Sequence, residues 1–140
     1  MRNPVHLYAI RRSFFLMILA VYFTGCSEPI THNEELAGRR ALEFAEVTLV
    51  RQDFEKGYAK LSNRSKGYVT MEKFRETISR LHPDGFPTRI KVIGSKPMKD
   101  EKAIYISLSG ENSGKQFHYT LILNGTDASD YQVSIIDRTF

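Results

Sequence analysis

The residues of this chain that could carry acid–base chemistry are one aspartate and three tyrosines. Asp53 stands at the start of a predicted helix, and Tyr58, Tyr119 and Tyr131 fall at positions that the hydrophobic pattern turns inward. A buried carboxyl group with a raised pKa beside a tyrosine can act as a general base. The simpler interpretation, which we favour, makes Asp53 a solvated helix-start residue and the tyrosines part of the core. We therefore predict no catalytic residue.

The imidazole groups after the first 26 residues are those of His32, His82 and His118. None of them belongs to a His-x-His or His-Glu-x-x-His pair, and the chain has a single cysteine, which leaves little with which to build a zinc site. We expect neither a metal nor a cofactor.

That cysteine, Cys26, follows a segment with the pattern of an export signal. Arg2, Arg11 and Arg12 precede an apolar run over residues 14–23. The run is about ten residues long, well short of the roughly 20 that a membrane-spanning helix needs. A basic start followed by a short apolar run favours a cleaved signal peptide over a permanent anchor.

Residues 23–26, which read FTGC, resemble the lipobox of bacterial lipoproteins, with Phe23 where that motif usually has Leu. The resemblance implies that the bond between Gly25 and Cys26 is cleaved and that Cys26 is lipidated on its sulfur and its new amine. Two or more acyl chains anchor a protein stably to a membrane. We expect a signal peptide over residues 1–25, a lipidated cysteine and tether over 26–33, and one domain over 34–140. An ordinary secretory signal with an incidental cysteine is the alternative.

The predicted location is the cell envelope, outside the inner membrane. Ser27 stands where an Asp would resemble an inner-membrane retention signal, so the periplasmic face of an outer membrane is favoured if the organism has one. The pair Arg11-Arg12 also resembles a twin-arginine export motif, and both export routes end outside the inner membrane.

The charge balance of the mature chain argues against a nucleic-acid partner. Without residues 1–25 the chain has 17 basic and 16 acidic residues, so its apparent basicity belongs largely to the export signal. The basic residues in its middle, which we interpret as ordinary solvated charge, are Arg64, Lys66, Lys96, Lys99 and Lys102. The remaining length suffices for one domain.

The first half of the mature chain has helical periodicity. Thr31 and Glu34 have capping-box spacing before a first helix, a second is predicted over 53–61, and residues 62–67 are predicted to interrupt the helices. Thr70 is the predicted N-cap of a third, which ends near His82.

The second half alternates with a period of two. Strands are predicted over 89–93, 102–109, 116–123 and 131–136, joined by short turns, which indicates an antiparallel sheet. The alternation in the last strand turns Val133 and Ile135 inward and Ile136 outward. The inward sets that it predicts for the second and third strands are Ile104, Ile106 and Leu108, and Phe117, Tyr119, Leu121 and Leu123. The predicted fold is α+β, with three N-terminal helices packed on one face of a curved four-stranded sheet.

Residues 54–62 (FEKGYAKLS) and 70–74 (TMEKF) resemble small bacterial lipoproteins with the NTF2-like, or cystatin-like, fold. The resemblance implies a cone-shaped cavity between helices and sheet. That fold hosts unrelated functions, so the resemblance assigns none.

Three functions remain open at this stage. We favour a non-enzymatic, membrane-anchored module that binds a protein or another envelope component, with Tyr105, His118 and Ile122 on a candidate partner face and a homodimer as one possibility. The runner-up binds a small apolar ligand in the cavity, with Asp53, Tyr58, Tyr119 and Tyr131 as weak candidate contacts. A proton-transfer enzyme comes third.

Overall fold

The computed structural model describes residues 28–139, which form an α+β domain, as predicted. Cys26, the cleavage site at Gly25 and the predicted signal peptide lie outside these residues. The helices in the described range are α1 (Glu34–Ala45), α2 (Phe54–Ala59), α3 (Asn63–Tyr68) and α4 (Met71–Arg80), with a π-helical turn (Glu46–Val50) continuing α1. The strands are β1 (Arg89–Pro97), β2 (Ala103–Asn112), β3 (Lys115–Asn124) and β4 (Gln132–Thr139). None of these helices is long and apolar enough to cross a membrane.

The N-cap of α1 is Asn33, and the predicted Thr31 cap is wrong. The Asn33 side chain accepts a hydrogen bond from the Leu36 N–H at 2.9 Å. Thr31 instead donates its hydroxyl to Asp127 in the loop between β3 and β4. Either residue type can cap a helix, and the tertiary contact to Asp127 decides between them.

The predicted number of helices is also wrong, because residues 62–67 do not interrupt the helical region. An additional helix, α3, begins there. Its N-cap is Ser62, whose side chain accepts a hydrogen bond from the Ser65 N–H at 3.2 Å. Six residues are too few for a helix to be stable alone. Helix α3 is held from outside, since Ser65 donates its hydroxyl to the Ser134 carbonyl in β4 at 2.9 Å.

The predicted start of the last helix is confirmed. The Thr70 side chain accepts from the Lys73 N–H at 3.3 Å and begins α4, which buries Phe74 and Ile78. His82 follows the helix and is also buried.

The sheet is an open antiparallel meander in the order β1-β2-β3-β4. Helix α1 lies across all four strands. One face of the sheet, here called the inner face, packs against the helices with large apolar side chains that are each at most 1% exposed. These are Ile104, Ile106, Leu108, Phe117, Tyr119, Leu121, Leu123 and Val133, which meet Phe44, Leu49 and Ile78 from the helical side. The predicted inward sets of β2 and β3 are confirmed.

The predicted inward set of β4 is wrong beyond Val133. The register shifts between Ile122 and Leu123 of β3, which face Ile135 and Val133 respectively, so Ser134 is an extra residue in β4. Such a β-bulge reverses the alternation that follows it. Ile135 is therefore 53% exposed on the outer face, and Arg138 takes an inner position opposite Tyr119.

The free edge of β4 is covered by the chain between α2 and α3. Leu61 forms a parallel bridge with Val133, and the Ser62 N–H donates to the Val133 carbonyl at 2.8 Å. An exposed strand edge can pair with another chain. This segment makes hydrogen bonds with the backbone of Val133 at the edge, and it brings α3 alongside the sheet.

Candidate functional site

The interior contains a buried polar network centred on His82, which the sequence pattern placed at the end of a helix and outside any metal-binding pair. His82 is 4% exposed, and its Nδ1 lies 2.7 Å from the Ile78 carbonyl oxygen. A carbonyl can only accept, so Nδ1 carries the proton and Nε2 presents a lone pair. The Tyr119 hydroxyl, 2.9 Å from Nε2, therefore donates to it. The neutral imidazole joins the end of α4 to β3.

Arg138 forms the second half of this network from the inner position that the bulge gives it. Its guanidinium lies 2.7 Å from the Leu81 carbonyl oxygen and makes two bonds to Asp84, at 2.7 and 3.0 Å. The guanidinium also stacks on Phe117, with 4.7 Å between its central carbon and the ring centroid. Lys115 pairs with the same Asp84 carboxylate.

The protonation states of the network follow from these contacts. Burial lowers the pKa of His82 and raises that of Tyr119, so both groups are neutral near pH 7. The hydrogen bonds from Arg138 and Lys115 hold the pKa of Asp84 well below its ordinary range. Each proton is fixed between two protein groups, and the imidazole and the phenol are at most 4% exposed. The arrangement ties the end of α4 to β3 and β4.

Gly110 provides the space for this network. A methyl group on Gly110 would lie 3.3 Å from Cε2 of Tyr119 and 2.9 Å from Cβ of Pro87, closer than ordinary contact. Because Gly110 has no side chain, the Tyr119 ring can pack against β2 at this position.

Asp53, the candidate general base, is the N-cap of α2. Its carboxylate accepts from the Lys56 N–H at 3.1 Å and pairs with Lys56 Nζ at 2.8 Å. The contact with the Lys56 side chain lowers the pKa of Asp53. A general base working near neutral pH needs the opposite shift, so the geometry agrees with the helix-start interpretation.

The three candidate tyrosines belong to three separate contacts. Tyr58 donates its hydroxyl to the Val69 carbonyl at 2.8 Å, and Tyr119 donates to His82. The Tyr131 hydroxyl oxygen accepts from the Asn33 N–H at 2.9 Å and lies 3.3 Å from Nδ1 of His32. The structure therefore brings none of these hydroxyl groups together with Asp53, and each has a structural partner.

The outer face of the sheet, opposite the helices, divides into a polar end and an apolar end. His118 lies at the polar end, where its register partners are Ser109 and Thr139. Four strand positions further along, one row of partners across the sheet reads Lys96, Tyr105, Ile122 and Ile135. Of the predicted partner face, Tyr105 and Ile122 are neighbours and His118 stands apart from them. Ile136, which the sequence pattern turned outward, packs against the core instead.

A groove of about 410 Å³ lies at the apolar end, between α3 and the outer face. Ile122 and Ile135 line the groove from the sheet, and Tyr68, which is 81% exposed, lines it from α3. Met98 and Glu101, from the loop that joins β1 to β2, close its end. The sequence pattern predicted a break in the helices at residues 62–67, so it did not indicate that α3 contributes to this groove.

The segment that leads to Cys26 is fixed at this same end of the sheet. His32 Nε2 lies 3.0 Å from the Glu101 carbonyl oxygen, and the Asp127 N–H donates to the Thr31 carbonyl at 3.0 Å. Glu101 thus contacts the N-terminal segment through its backbone and also lines the groove.

A second groove, of about 310 Å³, is strongly charged. Arg40 pairs with both Asp130 and Glu43, and Lys60 also pairs with Glu43, so the charges of this groove neutralise one another. Across residues 28–139 we find no cluster of three or more side chains of the kinds that hold a metal ion.

No protein-family model matches the chain, and no curated protein or solved structure proves similar to it.

Proposed function

We propose that this protein is a lipid-anchored module of the bacterial cell envelope that binds an envelope component through the outer face of its sheet, without catalysis. The observation that carries the proposal is the position of the apolar groove, which lies at the end of the domain where the chain leads to Cys26. A domain held at a membrane by its N-terminus keeps this end close to the membrane surface.

The apolar side chains of the groove support a binding role. Ile135 is 53% exposed and Tyr68 is 81% exposed, and they stand on neighbouring elements around one depression. Isolated exposed apolar residues are ordinary, but a contiguous group with a polar surround is typical of an interaction site. The row that includes Tyr105 and Ile122 continues this group across the sheet.

The interior offers less support for the runner-up, a small apolar ligand bound between helices and sheet. Phe44, Phe117 and Tyr119 occupy the space where such a cavity would lie, and each is at most 1% exposed. The Tyr119 and His82 polar groups that could orient a ligand are bonded to each other. For the same reason we propose no enzymatic activity.

The finer assignments complete the proposal. Helices followed by a four-stranded meander are the element order of an NTF2-like domain, and we propose that arrangement for residues 34–140. We propose the periplasmic face of an outer membrane as the location in an organism that has one, because Ser27 follows Cys26.

The test has two parts, one for the anchor and one for the face. Labelling cells with an alkyne analogue of palmitate should mark the wild-type protein and the Ser27→Ala control but not Cys26→Ala. Equal labelling of all three would falsify the anchor.

For the face, a photo-crosslinking amino acid at Ile135 should give an adduct in intact cells, and the same group at Glu55, exposed on α2, should give none. Adducts from Glu55 alone would contradict the assignment of the outer face.

A further inference from the structure

Two segments that line the groove, far apart in sequence, carry basic residues in or next to its lining, here called its basic border. Helix α3 contributes Arg64, which lines the groove, and Lys66. The end of β1 and the loop after it contribute Lys96, Lys99 and Lys102, all exposed. Lys66 donates to the Ala59 carbonyl at 2.8 Å, so the other four are the residues available to the surroundings of the groove.

These two segments differ in charge from the rest of the mature chain. Residues 63–68 and 96–102 hold five basic residues against two acidic ones, Asp100 and Glu101, whereas the mature chain is nearly balanced. The acidic residues of the neighbouring loop are engaged elsewhere, Asp127 with Thr31 and Asp130 with Arg40. Asp127 keeps its charge in the hydrogen bond with Thr31, and with Asp127 counted the surroundings of the groove still hold five basic residues against three acidic ones.

The length of chain before the domain limits how far this border lies from the lipid. Cys26 precedes Thr31 by five residues, which span at most about 18 Å when fully extended. Thr31 is bound to Asp127, and His32 to Glu101 at the end of the groove. A lipid on Cys26 would hold the groove within reach of the membrane surface.

We infer that the groove and its basic border form a docking surface for an anionic lipid bilayer, which the anchored domain contacts with the apolar end of the outer face of its sheet. The inference rests on the proposed lipid anchor and names the envelope component of the proposed function. Tyr68 and Tyr105 suit the headgroup region, where tyrosines are enriched, and Met98 and Ile135 reach the acyl boundary. Arg64, Lys96, Lys99 and Lys102 face anionic headgroups, which attract basic residues near the surface.

The test uses the natural absence of tryptophan from this chain. Tyr68→Trp places a single fluorophore at the groove, and His118→Trp places one on the same face of the sheet at its polar end. Each full-length protein is expressed in bacteria, isolated in its processed form and reconstituted in phosphatidylcholine vesicles that contain phosphatidylglycerol and brominated acyl chains.

We expect bromine to quench the fluorescence of Tyr68→Trp, with a blue shift of its emission, and to leave His118→Trp unchanged. Replacing Arg64, Lys96 and Lys99 by Gln should abolish the quenching, whereas Lys73→Gln, Arg80→Gln and Arg89→Gln together should not. Omitting phosphatidylglycerol should have the same effect as the first triple substitution.

Other results separate the failure of this inference from that of the proposed function. A vesicle-bound Tyr68→Trp protein without quenching, or one quenched no more than His118→Trp, would overturn the docking surface and leave the anchor intact. A crosslink from Ile135 to a protein, with Tyr68→Trp unquenched, would assign the groove to a protein partner instead. Failure of the processed protein to remain with vesicles would overturn both proposals.

Discussion

The interior of this domain buries its polar, reactive side chains, whereas the outer face of the sheet exposes apolar side chains. In the interior, His82, Tyr119 and Arg138 are nearly inaccessible to solvent. His82 is hydrogen-bonded to Tyr119 of β3, and Arg138 of β4 donates to the Leu81 carbonyl at the end of α4. On the outer face, Ile135 and Tyr68 expose apolar surface around an open groove. Histidine is typical of active sites, but His82 is hydrogen-bonded within the core. The groove on the outer face, which has no reactive group, is the better candidate for function. Exposure, more than residue type, makes that distinction.

The largest expected effect on stability comes from Arg138. Arg138→Ala removes the bonds to Asp84 and Leu81 and the contact with Phe117, and we expect it to lower the free energy of unfolding by about 2–3 kcal/mol. Urea denaturation followed by circular dichroism measures this difference. The control is Arg89→Ala, which removes an exposed ion pair with Glu111 and should cost less than about 0.5 kcal/mol. Equal losses in the two variants would contradict the interior role of Arg138.

The next effect isolates one hydrogen bond. Tyr119→Phe removes the donor to His82 Nε2 and leaves a buried acceptor unsatisfied, which we expect to cost about 1–2 kcal/mol. Tyr105→Phe, on the outer face, should change the free energy of unfolding by less than about 0.5 kcal/mol. Equal changes in the free energy of unfolding would mean that the hydrogen bond between Tyr119 and His82 does not stabilise the fold.

A pH titration tests the neutral state of His82. The unfolded chain takes up a proton at His82 near its ordinary pKa of about 6.5, whereas burial holds the folded imidazole neutral to lower pH. The unfolded state then binds more protons, so stability falls as the pH drops below about 6.5. His82→Gln should flatten this slope between pH 7 and 5, and His118→Gln should keep it. A wild-type slope in His82→Gln would assign the pH dependence to another group.

The smallest expected effect on stability is at the groove, where function should suffer most. Ile135→Asn replaces an exposed side chain and should change the free energy of unfolding by less than about 0.5 kcal/mol. The same change should weaken the association of the groove with its envelope component, measured as loss of crosslinking from a photo-reactive group at Ile122. Unchanged crosslinking from Ile122 would show that the Ile135 side chain contributes nothing to binding at the groove.

Sequence patterns predicted the regular parts of this fold well. The alternation over β2 and β3 identified Ile104, Phe117, Tyr119 and Leu121 as inward residues because those strands pair without interruption. Thr70 was identified as an N-cap because capping depends on a few adjacent residues.

The features that the sequence did not predict are all set by tertiary contacts. The bulge at Ser134 accompanies the bond from Ser65, 69 residues earlier, and nothing in the local alternation marks it. That bulge moved Ile135 to the groove and Arg138 to the interior. The pairing of Arg138 with Asp84 spans 54 residues, so hydrophobic periodicity could not predict the interior network. The exposure of Ile135 in the groove depends on the bulge, which periodicity also could not predict.

The most direct test of the central claim, that the interior of the domain is closed to ligands, is native mass spectrometry of the processed protein. Released gently from cells, it should have the mass of the polypeptide and its acyl groups alone. A small noncovalent adduct that persists in the Ile135→Asn variant would instead place a ligand inside the domain and contradict the account.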